Sequence, residues 1–200
     1  MYIRKDGYYK LAKQHGYRSR ASFKLIQLNN SYHLIRRGDT VLDIGASPGG
    51  WMQVAIELVG NKGKVIGIDV LDIPNFNCPN AVPVKGDINE PLVRRYALEL
   101  NKGKFDTVMS DVSINITGNV FYDTSKNLEI ATLILSYLPE LLKDNGNFLI
   151  KLFYSNELKS FLDKACVCFK NTYTTKPRAS RSSSSELYMI GKGFLTSKCK

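Results

Sequence analysis

The sequence predicts an α/β fold built on a doubly wound, mostly parallel sheet of seven strands, with one antiparallel strand near the C-terminus. Short β-rich runs and amphipathic helical stretches alternate from residue 40 to about residue 166, and such alternation is typical of right-handed βαβ crossovers. The last two predicted strands have no helix between them, so one of them should run antiparallel. A chain of 200 residues is long enough for one domain with a sizeable core.

Seven strands are predicted from short runs that are rich in β-branched and apolar residues and are bounded by turn residues. The first of them, TVLDI, ends at a glycine, and the fifth, FLIKLF, is apolar except for one lysine. The predicted strands are 40–44, 65–70, 81–84, 105–110, 148–153, 172–175 and 187–190.

Five helices are predicted from apolar residues at helical spacing. Pro91 suits the first turn of one helix, and Asp144-Asn145-Gly146 is a glycine signal that should end another after Lys143. Residues 1–39 are expected to form a basic, tyrosine-rich arm and one helix, and residues 40–200 the α/β core of a single domain. The predicted helices are 22–30, 49–59, 91–100, 128–143 and 156–166.

The charge of the chain predicts a polyanionic partner. Lys and Arg number 28 against 18 Asp and Glu, for a formal net charge of +10, and the first 24 residues hold seven basic side chains and one acidic one. Such an excess favours nucleic acid or an acidic membrane surface. No apolar run approaches the ~20 residues of a membrane span, and the N-terminus lacks the apolar core of a secretory signal. We therefore expect a nucleic acid rather than a membrane.

The cysteines indicate reduced thiols in an intracellular protein. The chain has two histidines and no C-x-x-C pair, so no zinc site of familiar spacing can be written and no metal is expected. Cytoplasm, nucleus or nucleolus, and mitochondrion all stay open as compartments. The four cysteines are Cys78, Cys166, Cys168 and Cys199.

The ends of the predicted strands have sequence features that are typical of a nucleotide-type site. Ligands of open α/β sheets bind where strand order reverses, at the carboxyl ends of the strands. The first strand runs into a glycine-rich turn whose backbone could approach a ligand closely, at Gly45, Gly49 and Gly50. The spacing G-x-x-x-G disfavours a dinucleotide and hence a nicotinamide-dependent oxidoreductase, and the absence of G-K-[ST] argues against a P-loop.

Carboxylates at successive strand ends extend this site. Asp69 follows the second strand and suits the two hydroxyls of a ribose, Asp87 follows the third and could accept from an adenine amino group, and Asp43 could face a ligand ammonium. This set fits S-adenosylmethionine. Strand-end aspartates also form turns and caps, and Trp51 could equally be a core anchor for the helix that it opens.

Lys151 interrupts the apolar fifth strand. Alternation puts it on a face with apolar neighbours, and a buried ammonium must find partners or lose its proton. Asp111 lies at the neighbouring strand end if strands four and five are adjacent. Glu186, at the start of the last strand, and Lys24, in the N-terminal helix, could complete a cluster.

The chain resembles the FtsJ/RrmJ family of ribosomal RNA 2′-O-ribose methyltransferases over nearly its whole length. The spacing of the matching motifs is that of the family's catalytic tetrad, which implies that Lys24, Asp111, Lys151 and Glu186 are catalytic. Where the family often has S-D-M-A-P-N, this chain has SDVSIN. The matching segments are YRSRASFKL (17–25), VLDIGASPGGW (41–51), VKGDINE (84–90), SDVSINITG (110–118), FLIKLF (148–153) and KPRASRSSSSELY (176–188).

The resemblance also implies a fold, a cofactor and a reaction. The fold would be a Rossmann-like class I methyltransferase, acting as a monomer on S-adenosylmethionine, with S-adenosylhomocysteine as product and no metal. The residues implied to contact the cofactor are Gly49, Trp51, Asp69, Asp87 and Asp111.

The expected substrate is large-subunit ribosomal RNA or a pre-ribosomal particle, at a uridine. The alternatives are 2′-O-methylation of a tRNA anticodon loop and a non-catalytic RNA-binding factor for ribosome assembly. Lys151 would either take the hydroxyl proton as a neutral amine or orient the hydroxyl as an ammonium. Basic side chains near the tetrad are expected to bind RNA phosphates, namely Arg18, Arg20, Lys176, Arg178 and Arg181.

Overall fold

The structure is a computed structural model that describes residues 7–112 and 119–199. The first six residues of the predicted basic arm lie outside this part of the chain. So does the SINITG portion (113–118) of the motif that begins at Ser110.

Within the described residues, seven strands form one sheet in the order β3-β2-β1-β4-β5-β7-β6. Strands β1 to β5 pair in parallel, whereas β7 runs antiparallel to both of its neighbours, β5 and β6. The doubly wound fold with one antiparallel C-terminal strand is thus confirmed. The strands are β1 Thr40–Ile44, β2 Lys64–Asp69, β3 Ala81–Lys85, β4 Phe105–Ser110, β5 Leu142–Phe153, β6 Phe169–Thr175 and β7 Glu186–Phe194.

Six α-helices accompany the sheet in the part of the chain that is described, with one short 3₁₀ turn after the third. Pro91 does occupy the first turn of its helix, where a missing N–H costs nothing. The helices are α1 Gly7–Gln14, α2 Ser22–Tyr32, α3 Gly50–Val59, α4 Pro91–Asn101, α5 Val120–Leu141 and α6 Leu158–Cys166, and the 3₁₀ turn is Gly60–Lys62.

The two faces of the sheet carry separate apolar cores. On one face, Leu25 of α2 and Met52 of α3 pack with Leu149 of β5. On the other face, Leu138 of α5 and Phe161 of α6 belong to the core that includes β4 and β5 side chains. The helix with the catalytic candidate Lys24 is therefore held against the sheet by the same core that holds α3.

The junction of α5 and β5 differs from the prediction. The helix begins at Val120, after Asn119, whose side chain accepts a hydrogen bond from the Tyr122 N–H, and it ends at Leu141 rather than Lys143. Leu142 pairs with Phe105 of β4, so Asp144-Asn145-Gly146 lies within β5 and is not a helix cap. Sheet pairing of the backbone has overridden the local helix-stop signal.

Residues 7–14 form helix α1, where their composition predicts an arm. Ala12 is buried, and the Tyr8 ring lies 5.6 Å from the Phe23 ring of α2. The aromatic residues of this segment thus attach α1 to α2.

Strand order reverses next to β1, which pairs with β2 on one side and with β4 on the other. A crevice therefore opens at the carboxyl ends of these strands, where open α/β sheets bind ligands.

Candidate active site

A cavity of about 640 Å³ occupies this crevice. Its walls come from the turn after β1, from the ends of β2 and β4, and from the turn after β3. All of the predicted cofactor residues except Gly49 line it: Asp43, Gly45, Gly50, Trp51, Asp69, Asp87 and Asp111.

The turn after β1 requires glycine at two positions. Gly45 has a φ of 77° and Gly49 a φ of 100°, a region that residues with a side chain rarely adopt. A Cβ at Gly49 would also lie 2.6 Å from Arg18 Nη1. The turn therefore brings bare backbone to the cavity wall and to the start of α3.

Asp43 lies at the base of the cavity with 1% of its surface exposed. Within the described part of the chain, neither carboxyl oxygen has a hydrogen-bond partner. Burial raises the pKa of Asp43 well above its usual value, and the nearby Asp111 and Asp69 carboxylates raise it further. An orphaned buried carboxyl group that lines a cavity is suited to a cationic ligand group.

Asp69 and Asp87 combine the two roles considered for strand-end aspartates. The Asp69 carboxylate accepts hydrogen bonds from the backbone N–H groups of Ser47 and Leu71, each at 2.8 Å. The Asp87 carboxylate accepts one from the Asn89 N–H at 2.9 Å. These bonds fix the turns, and each carboxylate still lines the cavity with acceptor capacity left for a ligand.

Trp51 is anchored in the core and also lines the cavity. It is 3% exposed, its indole N–H donates to the Ala21 carbonyl at 2.9 Å, and its ring lies 6.0 Å from that of Tyr188. Trp51 is therefore a core anchor, as the alternative predicted, and it also contributes to the cavity wall.

The four tetrad residues come together as two ion pairs beside the cavity. Lys151 Nζ lies 3.2 Å from Asp111 Oδ1 and donates to the Asp111 carbonyl at 3.0 Å. Lys24 Nζ lies 2.7 Å from Glu186 Oε1. The residues come from α2, the end of β4, β5 and β7, so only the folded sheet assembles them.

Tyr188 joins the two ion pairs, and sequence reasoning missed it. Its hydroxyl accepts a hydrogen bond from Lys24 Nζ at 3.1 Å and donates to Asp111 Oδ1 at 2.8 Å. Burial, followed by the charges of Asp111 and Glu186, raises the pKa of Tyr188 well above its usual value, so the phenol keeps its proton. The available signal was the alternation along β7, which puts Tyr188 on the same face as Glu186.

Asp111 belongs to both parts of the site. Its side chain is 15% exposed, against 4% for Lys151 and 10% for Lys24 and for Glu186, and it is the only tetrad residue that lines the cavity. A group bound in the cavity would therefore meet the buried cluster at this carboxylate.

The residues expected to bind RNA lie around the tetrad in different environments. The guanidinium of Arg18 donates to three backbone carbonyls, and that of Arg20 donates to the Ala179 carbonyl. Lys176 Nζ donates to the Ser182 and Ser184 carbonyls. Arg178 is exposed, and Arg181 is half-buried.

In the described ranges, no group of three or more His, Cys, Asp or Glu side chains is arranged to hold a metal ion. Nor does any helix there have the length and apolar character needed to cross a membrane.

A model of the FtsJ-like methyltransferase family matches residues 17–194. A Methanocaldococcus jannaschii protein named ribosomal RNA large subunit methyltransferase E is 44% identical over 198 residues, which are 98% of this chain and 81% of that protein. A Methanococcus aeolicus protein of the same name is 42% identical over 99% of this chain and 74% of its own length.

Solved structures share the architecture. A Plasmodium falciparum protein designated a ribosomal RNA methyltransferase superposes with a TM-score of 0.80 at 29% identity, over 90% of this chain and 99% of that one. The fibrillarin of Aeropyrum pernix, solved with natively bound S-adenosyl-L-methionine, has a TM-score of 0.55 at 16% identity, over 88% of this chain and 75% of its own. The fibrillarin likeness concerns the fold alone.

Proposed function

The chain belongs to the FtsJ-like methyltransferase family, and on that basis we propose that it methylates a ribose 2′-hydroxyl of large-subunit ribosomal RNA, with S-adenosylmethionine as donor. The names of its relatives support the RNA class, and uridine is our proposal for the nucleoside. The main structural support for this reaction is that Asp111 lines the cavity and pairs with the buried amine of Lys151.

The cavity fits S-adenosylmethionine in its donor and acceptor groups. The orphaned carboxyl of Asp43 would hold the ammonium of the methionine part. Asp69 would accept from the two ribose hydroxyls, and Asp87 from the adenine amino group. The glycine turn at Gly45 and Gly49 would admit the ligand close to the backbone.

S-adenosylmethionine supplies an electrophilic methyl group on a sulfonium sulfur. Transfer of this methyl group would break its C–S bond and the O–H bond of the hydroxyl and form one C–O bond, which leaves one proton for the protein to accept. The protein must hold the acceptor in line and manage that proton. We assign this task to Lys151, because its amine is the buried nitrogen directly paired with the carboxylate at the cavity wall.

The rest of the cluster holds Lys151 and Asp111 in position. Tyr188 donates to Asp111 Oδ1, and Lys24 donates to Tyr188 while pairing with Glu186. Since buried polar networks are favourable only when every member is satisfied, this chain of contacts fixes the Asp111 carboxylate between the cavity and Lys151.

The RNA would approach over the basic residues around the tetrad. The net charge of +10 favours a polyanion, and we propose that Lys176, Arg178, Arg181 and Arg20 contribute to this surface. Arg178 is the strongest candidate, because it is exposed and the described residues place no hydrogen bond or ion pair on its side chain. We further propose a monomer that works as one domain at the site of ribosome synthesis inside the cell.

The direct test is methyl transfer in a purified system. Protein, radiolabelled S-adenosylmethionine and unmodified large-subunit particles should yield label in a 2′-O-methylated nucleoside after nuclease digestion, and Lys151→Ala should yield none. Transfer to tRNA with none to ribosomal RNA would move the substrate to the anticodon loop. Cofactor and RNA binding without transfer to either would support the non-catalytic assembly factor.

A further inference from the structure

The segment just before Lys24 is fixed to the glycine turn and to α3 rather than standing free. The Arg18 backbone N–H donates to Gln53 Oε1 at 2.7 Å, and Ser22 Oγ donates to the Gly50 carbonyl at 2.9 Å. Ser19 lines the cofactor cavity itself. This basic segment, expected to face RNA, therefore forms part of the cofactor side of the molecule.

Arg18 continues these contacts with its guanidinium group. Nη1 donates to the carbonyls of Pro48 at 3.3 Å and Pro74 at 2.7 Å, and Nη2 donates to that of Asn75 at 2.7 Å. The guanidinium carbon lies 3.8 Å from the centroid of the Phe76 ring. Three of its five N–H donors and one planar face are thus engaged within the protein.

The carbonyls that Arg18 holds belong to two different loops. Pro48 is in the turn after β1, and Pro74 and Asn75 are in the segment after β2, a few residues beyond Asp69. The turn after β1 and the start of the segment after β2 both line the cavity. Arg18 therefore adds a further link between these two loops, beside the hydrogen bond from the Ser47 N–H to Asp69, and it does so without lining the cavity.

We propose that Arg18 is a positioning residue for cofactor binding, and this inference rests on the proposed function. By joining the two loops, it holds Asp69 and the glycine turn at the spacing that an adenosine needs. A lysine cannot replace it, since an ammonium has no planar face for Phe76 and no fork to span separate carbonyls. Its loss should raise the KM for S-adenosylmethionine while leaving kcat at saturating cofactor and the salt dependence of RNA binding nearly unchanged.

The charge-conserving variant Arg18→Lys separates this role from phosphate binding. Calorimetry with S-adenosylhomocysteine should show affinity weakened about tenfold for both Arg18→Lys and Arg18→Ala, the scale of losing hydrogen bonds from a charged group. Phe76→Leu should also weaken the affinity for S-adenosylhomocysteine. The double variant Arg18→Ala with Phe76→Leu should lose less binding free energy than the sum of the losses in the two single variants. Arg95→Lys is the matched control, because Arg95 is an exposed arginine of α4 that does not line the cavity, and it should bind the cofactor as the wild type does.

Three outcomes would overturn the proposal. Arg18→Lys could bind S-adenosylhomocysteine like the wild type, Arg18→Ala could change the salt slope of RNA binding rather than cofactor affinity, or Arg18→Lys could lower only the melting temperature of the cofactor-free protein. If Arg18→Ala does not fold, Arg18→Lys and Phe76→Leu decide the question. Failure of the wild type to bind S-adenosylhomocysteine would instead count against the proposed function.

Discussion

The hydroxyl group of Tyr188 joins the two ion pairs of the candidate site, since it accepts from Lys24 and donates to Asp111. The tetrad was predicted because the motifs of the resemblance carry Lys24, Asp111, Lys151 and Glu186. The role of Tyr188 depends instead on pairing between strands, since it lies directly opposite Lys151 across β5 and β7. Alternation along β7 puts Tyr188 on the same face as Glu186, but no local pattern sets the register that brings its hydroxyl to Lys24 and Asp111.

Replacement of Lys151 tests its part in the reaction. Lys151→Ala should reduce single-turnover methyl transfer by ~10²–10⁴-fold, the usual contribution of a positioned acid or base, with cofactor affinity nearly unchanged. Lys151→Arg keeps the positive charge and cannot act as a base. An equal loss of rate in both variants would show that Lys151 acts as a neutral amine. Partial activity in Lys151→Arg would show that it orients the hydroxyl as an ammonium. More than about a tenth of the wild-type rate in Lys151→Ala would contradict either role.

Asp43 should make the stability of the cofactor-free protein depend on pH. Its folded pKa is raised well above the usual value, first by burial, and an unfolded aspartate titrates near 3.9. A group of this kind stabilises the fold at low pH, and that contribution is lost as the pH rises through the folded pKa. Asp43→Asn should therefore melt at a higher temperature than the wild type at about pH 8, and the gap should close toward about pH 4.

Calorimetric scans of both proteins without ligand across that pH range provide the measurement. The same variant should bind S-adenosylhomocysteine more weakly, because the charge that would face its ammonium is gone. A melting difference that does not vary with pH would show that the Asp43 carboxyl titrates normally.

At the level of elements, local patterns predicted the strands better than the junctions between elements. The bounds of β1 and β4 agree residue for residue with the runs TVLDI and FDTVMS, because each is a short apolar run closed by turn residues. The predicted end of α5 was wrong. Leu142 pairs with Phe105, so the residues that were expected to end the helix belong to β5. Helix α1 was not predicted, because the charges of this segment do not indicate a helix. Its packing against α2 cannot be read from the sequence.

The lack of a side chain at Gly146 leaves room for Leu142 and Lys143 at the start of β5. A Cβ at this position would lie 2.6 Å from Leu142 Cδ1 and 2.8 Å from the Lys143 carbonyl oxygen. Gly146→Ala should therefore lower the free energy of unfolding by about 1–3 kcal/mol, the usual cost of overpacking, measured by urea titration. Gly7→Ala, where a Cβ meets nothing within 4 Å, is the control. Equal stability of the two variants would mean that the junction adjusts freely.

On the scale of the whole molecule, the candidate cofactor cavity and the tetrad lie side by side at one edge of the sheet. The cofactor cavity opens at the strand-order reversal beside β1, and the tetrad lies next to it, toward β5 and β7. The doubly wound class and this edge were predictable from the alternation of elements. The sequence did not predict which basic residues make hydrogen bonds within the protein and which are exposed, because this depends on the positions of backbone carbonyls in the loops.

Arg178 should carry part of the RNA affinity through charge. Arg178→Ala is expected to reduce the slope of log K against log salt by about 0.7–0.9, the value for one lost phosphate contact, without changing cofactor affinity. Filter-binding titrations of ribosomal RNA at several salt concentrations measure it. Arg95→Ala, whose exposed side chain is paired with Glu99, is the matched loss of charge. Parallel slopes for wild type and Arg178→Ala would place the RNA on another surface.

The antiparallel insertion of β7 between β5 and β6 also has a consequence for biosynthesis. Lys24 leaves the translating ribosome early, but it finds Tyr188 only after another 164 residues of chain have been made. A nascent chain that stops short of Glu186 lacks one ion pair and the hydroxyl that joins it to the other, and it leaves both β5 and β6 without their shared partner. If the tetrad acts as proposed, we expect prematurely terminated products to be inactive rather than partly active, because Lys24 then has neither Glu186 nor Tyr188 to contact.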